Sequence, residues 1–354
     1  MNKDNFPLWR NDGKPAASFS KWNRANVEKL HNAIKDGELR FIENHCLCNN
    51  EHPERDIVIS EKDRFGLPIP QILCSKCGVI RSGVVFDEES NSSFYEKYYR
   101  GVYTTECPSD VFFQKQTETG TAAINLIKEH VDFAQIKNVA EIGCGAGGIL
   151  LPFKNEGKSV TGYDFDEKYL EYGRKMGLNL VYGDFYTQTE DNSCDLIIMN
   201  HVFEHLLSPL DELRRLLPKL KCNGYIYFEI PGIYCISWCY PDPLTYFQNA
   251  HVYNFYKQQL YVLFQKYGIK IIYGDDRCTF ICQKTDNNIP DVDCIYDRSL
   301  SDYPRKNANY LMECKKKYEK RRIRTFKKKL RNIALALGWK QIRPYIKRNK
   351  TYSN

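Results

Sequence analysis

One stretch of this sequence, residues 139–150, has the residue types and spacing to bind a nucleotide-like ligand. Apolar residues lead into Glu141, and Gly143, Gly145 and Gly148 follow with G-x-G-x-x-G spacing before a second apolar run. This pattern predicts a buried strand, a tight turn and the start of a helix, which together bring backbone N–H groups to a ligand. Many nucleotide-binding proteins share this spacing, so the residues that follow it must decide the ligand.

Carboxylates stand at the ends of the next two predicted strands. Asp164 lies 21 residues after Gly143, where it can accept hydrogen bonds from both hydroxyls of a ribose. Asp184 ends a further strand, at a position suited to the exocyclic amine of adenine. Glu141 would repel a pyrophosphate but suits a cationic amino-acid head group. These carboxylates therefore disfavour a nicotinamide dinucleotide and its oxidoreductase chemistry.

Cysteines form two groups in the first quarter of the chain. Cys74 and Cys77 have the C-x₂-C spacing of a zinc knuckle, and Cys46 and Cys48 precede them with a gap of one residue. Four N or S ligands from two such hairpins make a closed structural zinc site. We predict Cys48, Cys74 and Cys77 as ligands with Cys46 as the fourth and His45 as the alternative to Cys46. Ordinary buried thiols are the competing interpretation.

Two histidines could serve as the general base that removes a proton from an acceptor hydroxyl. His205 follows the fourth predicted strand, and His251 follows a long aromatic insertion, residues 233–249, after the fifth strand. Aromatic faces suit sugar rings, although such an insertion could also be a simple hydrophobic cover. For His201 and His205, a helix-capping or core position is the alternative.

The elements that must position these residues alternate between strand and helix from about residue 110 to residue 285. Alternation of this kind predicts a parallel sheet covered by helices on both faces. The last two strands are joined by a short turn, so that pair must be antiparallel. Strands are predicted at residues 139–143, 159–163, 178–182, 194–199, 224–230, 269–274 and 278–283, and helices at residues 146–156, 166–175, 208–218 and 256–267.

Taken together, these motifs resemble those of the class I S-adenosylmethionine-dependent methyltransferases. The resemblance rests on Glu141-Ile142-Gly143-Cys144-Gly145, Asp164, Gly183-Asp184, Asp195-Leu196-Ile197-Ile198, Asn200-His201-Val202-Phe203-Glu204-His205-Leu206 and Gly224-Tyr225-Ile226-Tyr227-Phe228-Glu229-Ile230-Pro231. It implies a Rossmann-like α/β fold with a seven-stranded sheet of order 3-2-1-4-5-7-6, the last strand being antiparallel.

The same resemblance implies a role for each donor-site residue. The methionine part of S-adenosylmethionine would be held by Glu141, Gly143 and Gly145. Asp164 would bind the ribose, with Phe165 against the adenine and with Asp184 and Phe185 flanking the base. Asn200 and His201 would line the floor near the sulfonium, and the aromatic insertion that ends before His251 would lie over the acceptor site.

Over residues 44–285 the chain further resembles zinc-knuckle methyltransferases encoded with bacterial surface-polysaccharide and deoxysugar biosynthesis, including sugar C-methyltransferases. The cysteines, residues 63–68 and the aromatic residues 94–100 carry this resemblance, while the gap between Cys46 and Cys48 departs from it. It implies methyl transfer to a sugar, nucleotide-sugar or glycan. A lipid or quinone head group is one alternative acceptor, and an RNA-binding zinc module on a methyltransferase fold is another class of function.

The net charge of +7 is distributed unevenly along the chain. Residues 305–350 contain 18 lysines and arginines against two glutamates, whereas the rest of the chain carries 33 basic and 42 acidic residues. Apolar residues recur in this basic tail at helical intervals, at Ile323, Phe326, Leu330, Ile333 and Leu337. The tail is therefore predicted to be an amphipathic helix that either lies on an anionic membrane surface or packs on the body or a second subunit. A nucleic acid is a less favoured partner because no base-reading module accompanies the charge.

The composition changes suggest four parts: an N-terminal helical segment (residues 1–43), a zinc-binding module (44–105), a methyltransferase domain (106–290) and a basic helical tail (291–354).

No run of 18 apolar residues and no apolar leader segment occurs in the sequence. The 14 cysteines are then expected to be thiols or metal ligands rather than disulfides. We expect a cytoplasmic protein whose tail could reach the inner face of the membrane.

Overall fold

The N-terminal part of the chain builds two small sheets and two helical segments. The computed structural model describes residues 5–16, 20–104, 107–286 and 288–336. Helix α1 begins after Ser20, whose hydroxyl caps it by accepting the Asn23 N–H, and it ends before Gly37. The elements are α1 (Lys21–Lys35), β1 (Phe41–Glu43), β2 (Ile57–Ser60), β3 (Gln71–Leu73), β4 (Ile80–Ser82), β5 (Val84–Phe86), α2 (Glu88–Phe94) and α3 (Arg100–Tyr103).

Helices α2 and α3 are joined by a π-helical segment, Tyr95–Tyr99, that carries three of the aromatic side chains of residues 94–100. Strands β4 and β5 are separated by Gly83, where a Cβ atom would lie 2.6 Å from Ile72 Cδ1. The two strands belong to different sheets.

The central part of the chain forms the predicted α/β sheet. Its strands have the spatial order β8-β7-β6-β9-β10-β13-β12, which is the predicted order 3-2-1-4-5-7-6. Strand β13 runs antiparallel to both of its neighbours, as predicted. The elements are α4 (Asp110–His130), β6 (Asn138–Ile142), α5 (Leu150–Asn155), β7 (Ser159–Asp164), α6 (Glu167–Lys175), β8 (Leu180–Tyr182), α7 (Phe185–Gln188), β9 (Cys194–Asn200), α8 (Pro209–Leu216), β10 (Leu220–Glu229), α9 (Ile236–Cys239), β11 (Tyr253–Asn254), α10 (Lys257–Lys266), β12 (Ile269–Gly274) and β13 (Thr279–Lys284).

Helix α5 starts at Leu150, four residues later than predicted. Gly147 has a φ of +72°, in the left-handed region, and the chain therefore stays in an open turn beyond the glycines. A Cβ at Gly147 would also lie 2.8 Å from Leu180 Cδ2. The predicted helix start was wrong, because the prediction placed residues 146–149 in the helix.

Side chains on successive strand residues point to opposite faces of the central sheet, and both faces are covered. Leu196 and Ile198 of β9 lie in one apolar cluster with residues of α4, α5 and α6. Ile197 and Met199 of the same strand lie in a second cluster with residues of α8 and α10. The buried cysteines Cys46, Cys48, Cys74 and Cys77 belong to this second cluster, so the cysteine-bearing segments share the core of the central domain.

Strand β11 connects the two parts of the chain through hydrogen bonds. It follows the aromatic insertion of the central domain, but it pairs antiparallel with β4, with Tyr253 opposite Arg81 and Asn254 opposite Ile80. A four-stranded sheet of order β11-β4-β3-β2 results. This sheet fixes the segment around His251 against the cysteine-bearing part of the chain.

The basic tail is a single helix, α11 (Tyr303–Ala336). Ala308, Leu311 and Cys314 near its start are buried in the common core, whereas residues 319–333 are all exposed. Leu337, the last residue of the predicted apolar stripe, lies outside the described residues. None of the described helices is both long enough and apolar enough to cross a membrane.

Candidate active site

The glycine turn lies at the carboxyl end of the central strand β6. Glu141 in this strand is buried, and its Oε2 atom has no hydrogen-bond partner among the described residues. Burial, together with the charge of nearby Asp164, raises the pKa of Glu141 well above its usual range. A buried carboxyl oxygen without a partner suits the cationic amino group of a bound ligand. Gly143 has a φ of +68°, and a Cβ there would lie 2.7 Å from Val202 Cγ2.

Asp164 ends β7 and faces this turn. Its Oδ2 accepts the Gly145 N–H at 2.7 Å, and its Oδ1 accepts the Asp166 N–H at 2.9 Å. The Arg100 guanidinium lies 3.4 Å from Asp164 Oδ1 and 2.9 Å from Asp166 Oδ2. Arg100 also stacks over the Tyr169 ring at 4.1 Å. The carboxylate is therefore held in a fixed orientation at the strand end, where it can accept a ribose hydroxyl.

Two exposed aromatic rings mark the next part of the site. Phe165 is 68 % exposed, and its ring meets that of Tyr182 edge-on, with centroids 6.1 Å apart. Phe185, in contrast, is 2 % exposed and packs edge-on against Tyr163 and Tyr186. Phe165 and Tyr182 thus present their faces at this edge of the sheet, while Phe185 belongs to the core below it.

Asp184 stands at the start of α7 and is already engaged within the protein. Its Oδ1 accepts the Tyr186 N–H at 3.2 Å, which caps the helix, and its Oδ2 pairs with Arg215 at 2.9 Å. The Arg215 guanidinium lies 4.1 Å from the centroid of the Tyr186 ring. Because the pair is partly exposed, the carboxylate keeps lone pairs that a ligand amine could reach.

Asn200 is the last residue of β9, and His201 follows it directly. Asn200 Oδ1 is buried, and nothing in the part of the chain that the structure describes donates a hydrogen bond to it. His201 has a φ of +55°, and its N–H donates to the Glu229 carbonyl at 2.8 Å. This left-handed residue turns the chain so that the half-exposed imidazole stays beside the site while the next residues return to the core.

Three histidines surround a single buried glutamate directly after this bend. Glu204 Oε1 lies 3.2 Å from His201 Nδ1, 3.7 Å from His205 Nε2 and 3.9 Å from His251 Nε2. The other oxygen, Oε2, is buried and has no partner within residues 5–16, 20–104, 107–286 and 288–336. The structure therefore brings together His205 and His251, which are 46 residues apart in the chain and were predicted independently.

The charges of this cluster follow from burial and proximity. Burial raises the pKa of Glu204, but the His201 hydrogen bond and the neighbouring imidazoles outweigh it and lower that pKa to about 2. Burial lowers the pKa of His205, and burial and the proximity of His205 lower that of His251 well below its usual range. For His201, burial is outweighed by Glu204, and its pKa is raised. At neutral pH the cluster thus contains an ionised glutamate beside two neutral histidines.

The ligand atoms of Glu204, His205 and His251 lie within 4.8 Å of one another, a spacing that a divalent cation could also use. Glu204 Oε1 is already hydrogen-bonded to His201, and His205 Nδ1 lies 3.2 Å from the Tyr95 hydroxyl. These existing contacts favour a hydrogen-bonded network over a metal centre at this position.

Aromatic side chains border the histidine cluster on two sides. The Tyr99 ring meets the His205 ring edge-on at 5.9 Å, next to the Tyr95 contact. On the other side, the Tyr246 ring of the aromatic insertion lies 6.4 Å from His251. Tyrosines of the N-terminal part and of the insertion thus lie on two sides of the histidine cluster, and Tyr246 is fully buried there.

The backbone of His251 is held by both parts of the chain. Ser82 in β4 donates its hydroxyl to the His251 carbonyl at 2.9 Å and its N–H to the Val252 carbonyl at 3.1 Å. The Val252 N–H donates to the Glu204 carbonyl at 2.8 Å. The position of the His251 imidazole therefore depends on the sheet of the cysteine-bearing part.

Four cysteines form the predicted cluster. Sγ atoms lie 3.3 Å apart for Cys46 and Cys48 and 3.5 Å apart for Cys46–Cys77 and Cys48–Cys74. Thiolates in a tetrahedron around zinc, at about 2.3 Å from the ion, lie about 3.8 Å apart, so shifts of a few tenths of an ångström would suffice. His45 is exposed and outside the cluster. The structure therefore brings Cys46, and not His45, to the fourth position.

The hairpin that carries the second cysteine pair is fixed to the rest of the protein. The Lys76 N–H points at Cys74 Sγ at 3.4 Å, the Tyr256 hydroxyl donates to the Cys77 carbonyl, and Asn307 donates to the Gly78 carbonyl at 2.7 Å. Tyr256 precedes α10 and Asn307 lies in α11. The donor set of four buried thiols fits zinc, and its environment is that of a structural site without an open position.

The order of the seven-stranded sheet, the glycine turn, the acidic residue at the end of the second strand and the buried glutamate are the features that the resemblance to class I S-adenosylmethionine-dependent methyltransferases implies. The comparison with known families agrees, because residues 116–273 match the family model described as a methyltransferase domain. This match runs from within α4 to within β12, so it leaves out strand β13, the cysteine-bearing part and the basic helix.

Individual relatives are similar over about a third of the chain. The ubiquinone biosynthesis O-methyltransferase of Vibrio parahaemolyticus is 28 % identical over 116 residues, which are 30 % of this chain and 48 % of that protein. The trans-aconitate 2-methyltransferase of Rhizobium rhizogenes is 30 % identical over 105 residues, 28 % of this chain and 41 % of that protein. The chain thus spans about half the length, or less, of the curated relatives it matches.

Two solved structures are similar at lower sequence identity. A SAM-dependent methyltransferase from Archaeoglobus fulgidus is 22 % identical, with a TM-score of 0.39 over 47 % of this chain and 77 % of that chain. Phosphoethanolamine N-methyltransferase 1 of Haemonchus contortus, in complex with phosphoethanolamine and S-adenosylhomocysteine, is 14 % identical, with a TM-score of 0.40 over 61 % of this chain and 52 % of that chain.

Proposed function

We propose that this chain transfers a methyl group from S-adenosylmethionine to a sugar, nucleotide-sugar or glycan acceptor. The observation that carries the proposal is the Glu204 cluster, in which two neutral histidines lie beside an ionised carboxylate and are bordered by tyrosines. This cluster is linked to the donor site through the His201–Glu204 hydrogen bond. A base and a ring-binding surface next to a donor site are what methyl transfer to a hydroxyl requires.

In this proposal the donor is held by the residues at the carboxyl ends of β6, β7 and β9. Glu141, whose buried Oε2 has no partner among the described residues, would hold the amino group, Asp164 would hold the ribose, and Asn200 and His201 would line the floor. Gly143 and Gly145 leave room for the methionine part, Phe165 covers the adenine face, and Asp184 and the segment starting with Phe185 lie near the adenine edge. When bound, S-adenosylmethionine supplies a methyl group that its sulfonium has already activated.

Asp164→Ala should weaken the binding of S-adenosylmethionine by about 10- to 100-fold, because hydrogen bonds to a charged group contribute about 1.5–3 kcal/mol. Titration calorimetry with S-adenosylhomocysteine measures this directly. Glu167→Ala is a matched control, since Glu167 lies three residues away and pairs only with Arg174 at the surface. Unchanged affinity in Asp164→Ala would contradict the donor assignment.

The chain's own part in the reaction is to position the acceptor and to remove its proton. We assign this step to His205 and His251, whose lowered pKa values keep them neutral and able to accept a proton. His205 is the more accessible of the two and contacts Tyr95. Glu204 then stabilises the imidazolium that forms, since it remains ionised beside both rings.

The same assignment predicts the pH dependence of turnover. A base works only when deprotonated, and burial moves the pKa of His205 below the ordinary 6.5. Turnover at saturating substrates should therefore stay constant as the pH falls from 8 towards 6.5 and decline only below 6.5, with the decline following one or both of these histidines. A decline that begins above 6.5 in the kcat profile would contradict a base with a lowered pKa.

We further propose that the four cysteines bind one structural zinc ion. Support comes from four buried thiols on two separate chain segments, with the Lys76 N–H pointing at Cys74 Sγ. Zinc would hold these two segments together and thereby keep β4 in place beneath His251. In this proposal residues 44–105 and 106–290 are parts of one functional unit rather than independent domains.

The acceptor class is the part of the proposal that needs a direct assay. Purified full-length protein would be incubated with S-adenosylmethionine and a panel of nucleotide-sugars, simple glycosides and hydroxylated aromatic rings, and S-adenosylhomocysteine and methylated product would be measured by mass spectrometry. Methylation of sugars and of no aromatic ring supports the proposal. The product also shows whether oxygen, carbon or nitrogen is methylated.

A second candidate is methylation of another small molecule, such as a quinone or lipid head group. It is favoured by the similarity of the domain to proteins named ubiquinone biosynthesis O-methyltransferase. Turnover with hydroxylated aromatic rings and none with sugars in the same panel would establish this candidate. An RNA-binding role would require strongly salt-dependent RNA binding and no turnover with either class.

A further inference from the structure

The exposed part of helix α11 has two faces of opposite character. Ile323, Phe326, Leu330 and Ile333 are between 50 % and 62 % exposed, which is unusual for large apolar side chains. At about 100° per residue they lie within an arc of about 80° on the helix surface. They therefore form one continuous apolar stripe, and the body of the protein does not cover it.

Positive charges border this stripe on both sides. Arg322 and Lys329 lie along one edge, and Lys320, Lys327 and Arg331 lie along the other edge by the same helical geometry. From residue 315 to residue 331 the helix carries eleven lysines and arginines and one acidic residue, Glu319. No acidic residue follows Glu319 in the sequence.

The start of the helix is anchored to the acceptor side of the protein. Tyr310 donates its hydroxyl to the Tyr234 carbonyl at 2.6 Å, and Tyr234 donates to Asn307 Oδ1 at 2.6 Å. Arg321 Nη2 reaches the Pro241 carbonyl at 3.5 Å. Tyr234 and Pro241 belong to the aromatic insertion that borders His251. The exposed stripe therefore starts, at Ile323, two residues after a residue that contacts this insertion.

We propose that residues 319–333 of α11 lie in the plane of an anionic lipid membrane. The apolar stripe would enter the boundary between head groups and acyl chains, and the flanking lysines and arginines would contact the lipid phosphates. The remaining part of the chain, with 33 basic and 42 acidic residues outside residues 305–350, is repelled by the same surface. The charge distribution thus fixes the orientation of the protein with the tail towards the lipid.

A second copy of the chain fits this stripe less well. Two such helices side by side would bring their basic edges together, which is unfavourable. Other large apolar side chains exposed in the described ranges, such as Trp22, Ile42, Val58 and Val111, lie on different elements and do not form a matching stripe in sequence. An anionic lipid surface satisfies both the apolar stripe and its charged edges.

Flotation of the full-length protein with vesicles tests the proposal. We expect binding to vesicles of phosphatidylcholine with phosphatidylglycerol, little binding to pure phosphatidylcholine, and a loss of binding as salt is raised. The double substitution Phe326→Glu with Leu330→Glu should reduce the bound fraction about ten-fold or more, because it places charge on the face that enters the lipid. Reversing Lys327 and Lys329 to Glu should reduce it by at least about five-fold per residue.

Thr325→Glu is the control, because by the same helical geometry residue 325 lies about 120° from the centre of the apolar stripe and therefore outside it. It adds one negative charge at the same depth in the helix and should retain most of the binding. Circular dichroism of each variant checks that the helix persists. Equal binding to neutral and anionic vesicles would overturn the proposal, as would equal losses in Thr325→Glu and the Phe326 variant. Light scattering tests for a dimer. If the parent protein is a dimer and only the variant with Phe326→Glu and Leu330→Glu is a monomer, the stripe binds a second copy of the chain instead.

Discussion

Replacement of His251 or His205 by alanine should lower kcat by about 10²- to 10⁴-fold, the usual contribution of a general base. The affinity for the donor should stay within about two- to three-fold of the parent protein, since neither side chain belongs to the proposed donor site. Both histidines share Glu204 as a neighbour, so the double variant should cost little more than the more damaging single variant. Single-turnover methyl transfer and calorimetry measure the two quantities separately.

His52→Ala is the matched control for these variants. His52 is exposed, and its imidazole lies beside the Glu54 carboxylate at the surface. Wild-type kcat in His251→Ala would remove His251 from the mechanism, and the same result in His205→Ala would remove His205. Glu204→Gln offers a further distinction, because it removes the charge that stabilises the imidazolium while preserving the size of the side chain.

Loss of one cysteine ligand should have the second large effect. In Cys77→Ser the bound zinc should fall from about one equivalent to a small fraction, as measured by elemental analysis. A structural zinc contributes on the order of 5 kcal/mol or more, so the unfolding midpoint should drop by about 10–20 °C. Turnover should be lost more completely than donor affinity, because β4 positions His251 but not the residues around Glu141 and Asp164.

Cys222→Ser is the matched control for the cysteine substitution, since Cys222 is exposed and distant in sequence from the cluster. It should retain zinc, stability and turnover. A parent protein that contains no zinc after expression in zinc-supplemented medium would contradict the zinc proposal. A Cys77→Ser protein that lost zinc but kept full turnover would instead separate the metal from the positioning of His251.

The sheet could be predicted from the sequence because its signals are local. Each strand is a short apolar run, each carboxyl end carries a polar residue, and the glycines mark the first turn. The order of the strands then followed from the family resemblance, and the structure confirms it. The start of the helix at Leu150 was mispredicted. The left-handed conformation of Gly147 delays the helix, but the residues around Gly147 are also compatible with a helix, so the sequence does not reveal that conformation.

Contacts between distant segments could not be predicted in the same way. Glu204 lies three residues after His201, a spacing that could have suggested their contact, but its position beside His251 depends on how the insertion folds back. Arg100 reaches Asp164 from a helix 64 residues earlier, and nothing in its sequence context indicates this pairing. Tyr182 replaces Phe185 as the exposed ring next to Phe165 because the first residue of α7 turns into the core.

The pairing of β11 with β4 has a consequence for how such a protein can change over time. Tyr253 and Asn254 are encoded with the methyltransferase domain, yet their hydrogen bonds make them the edge strand of the cysteine-bearing module. An exchange of that module alone would leave this edge without its partner and would move His251 away from Glu204. Modules and insertions of this kind must therefore be inherited as a pair, and a working chimera would have to carry residues 251–254 together with residues 44–105.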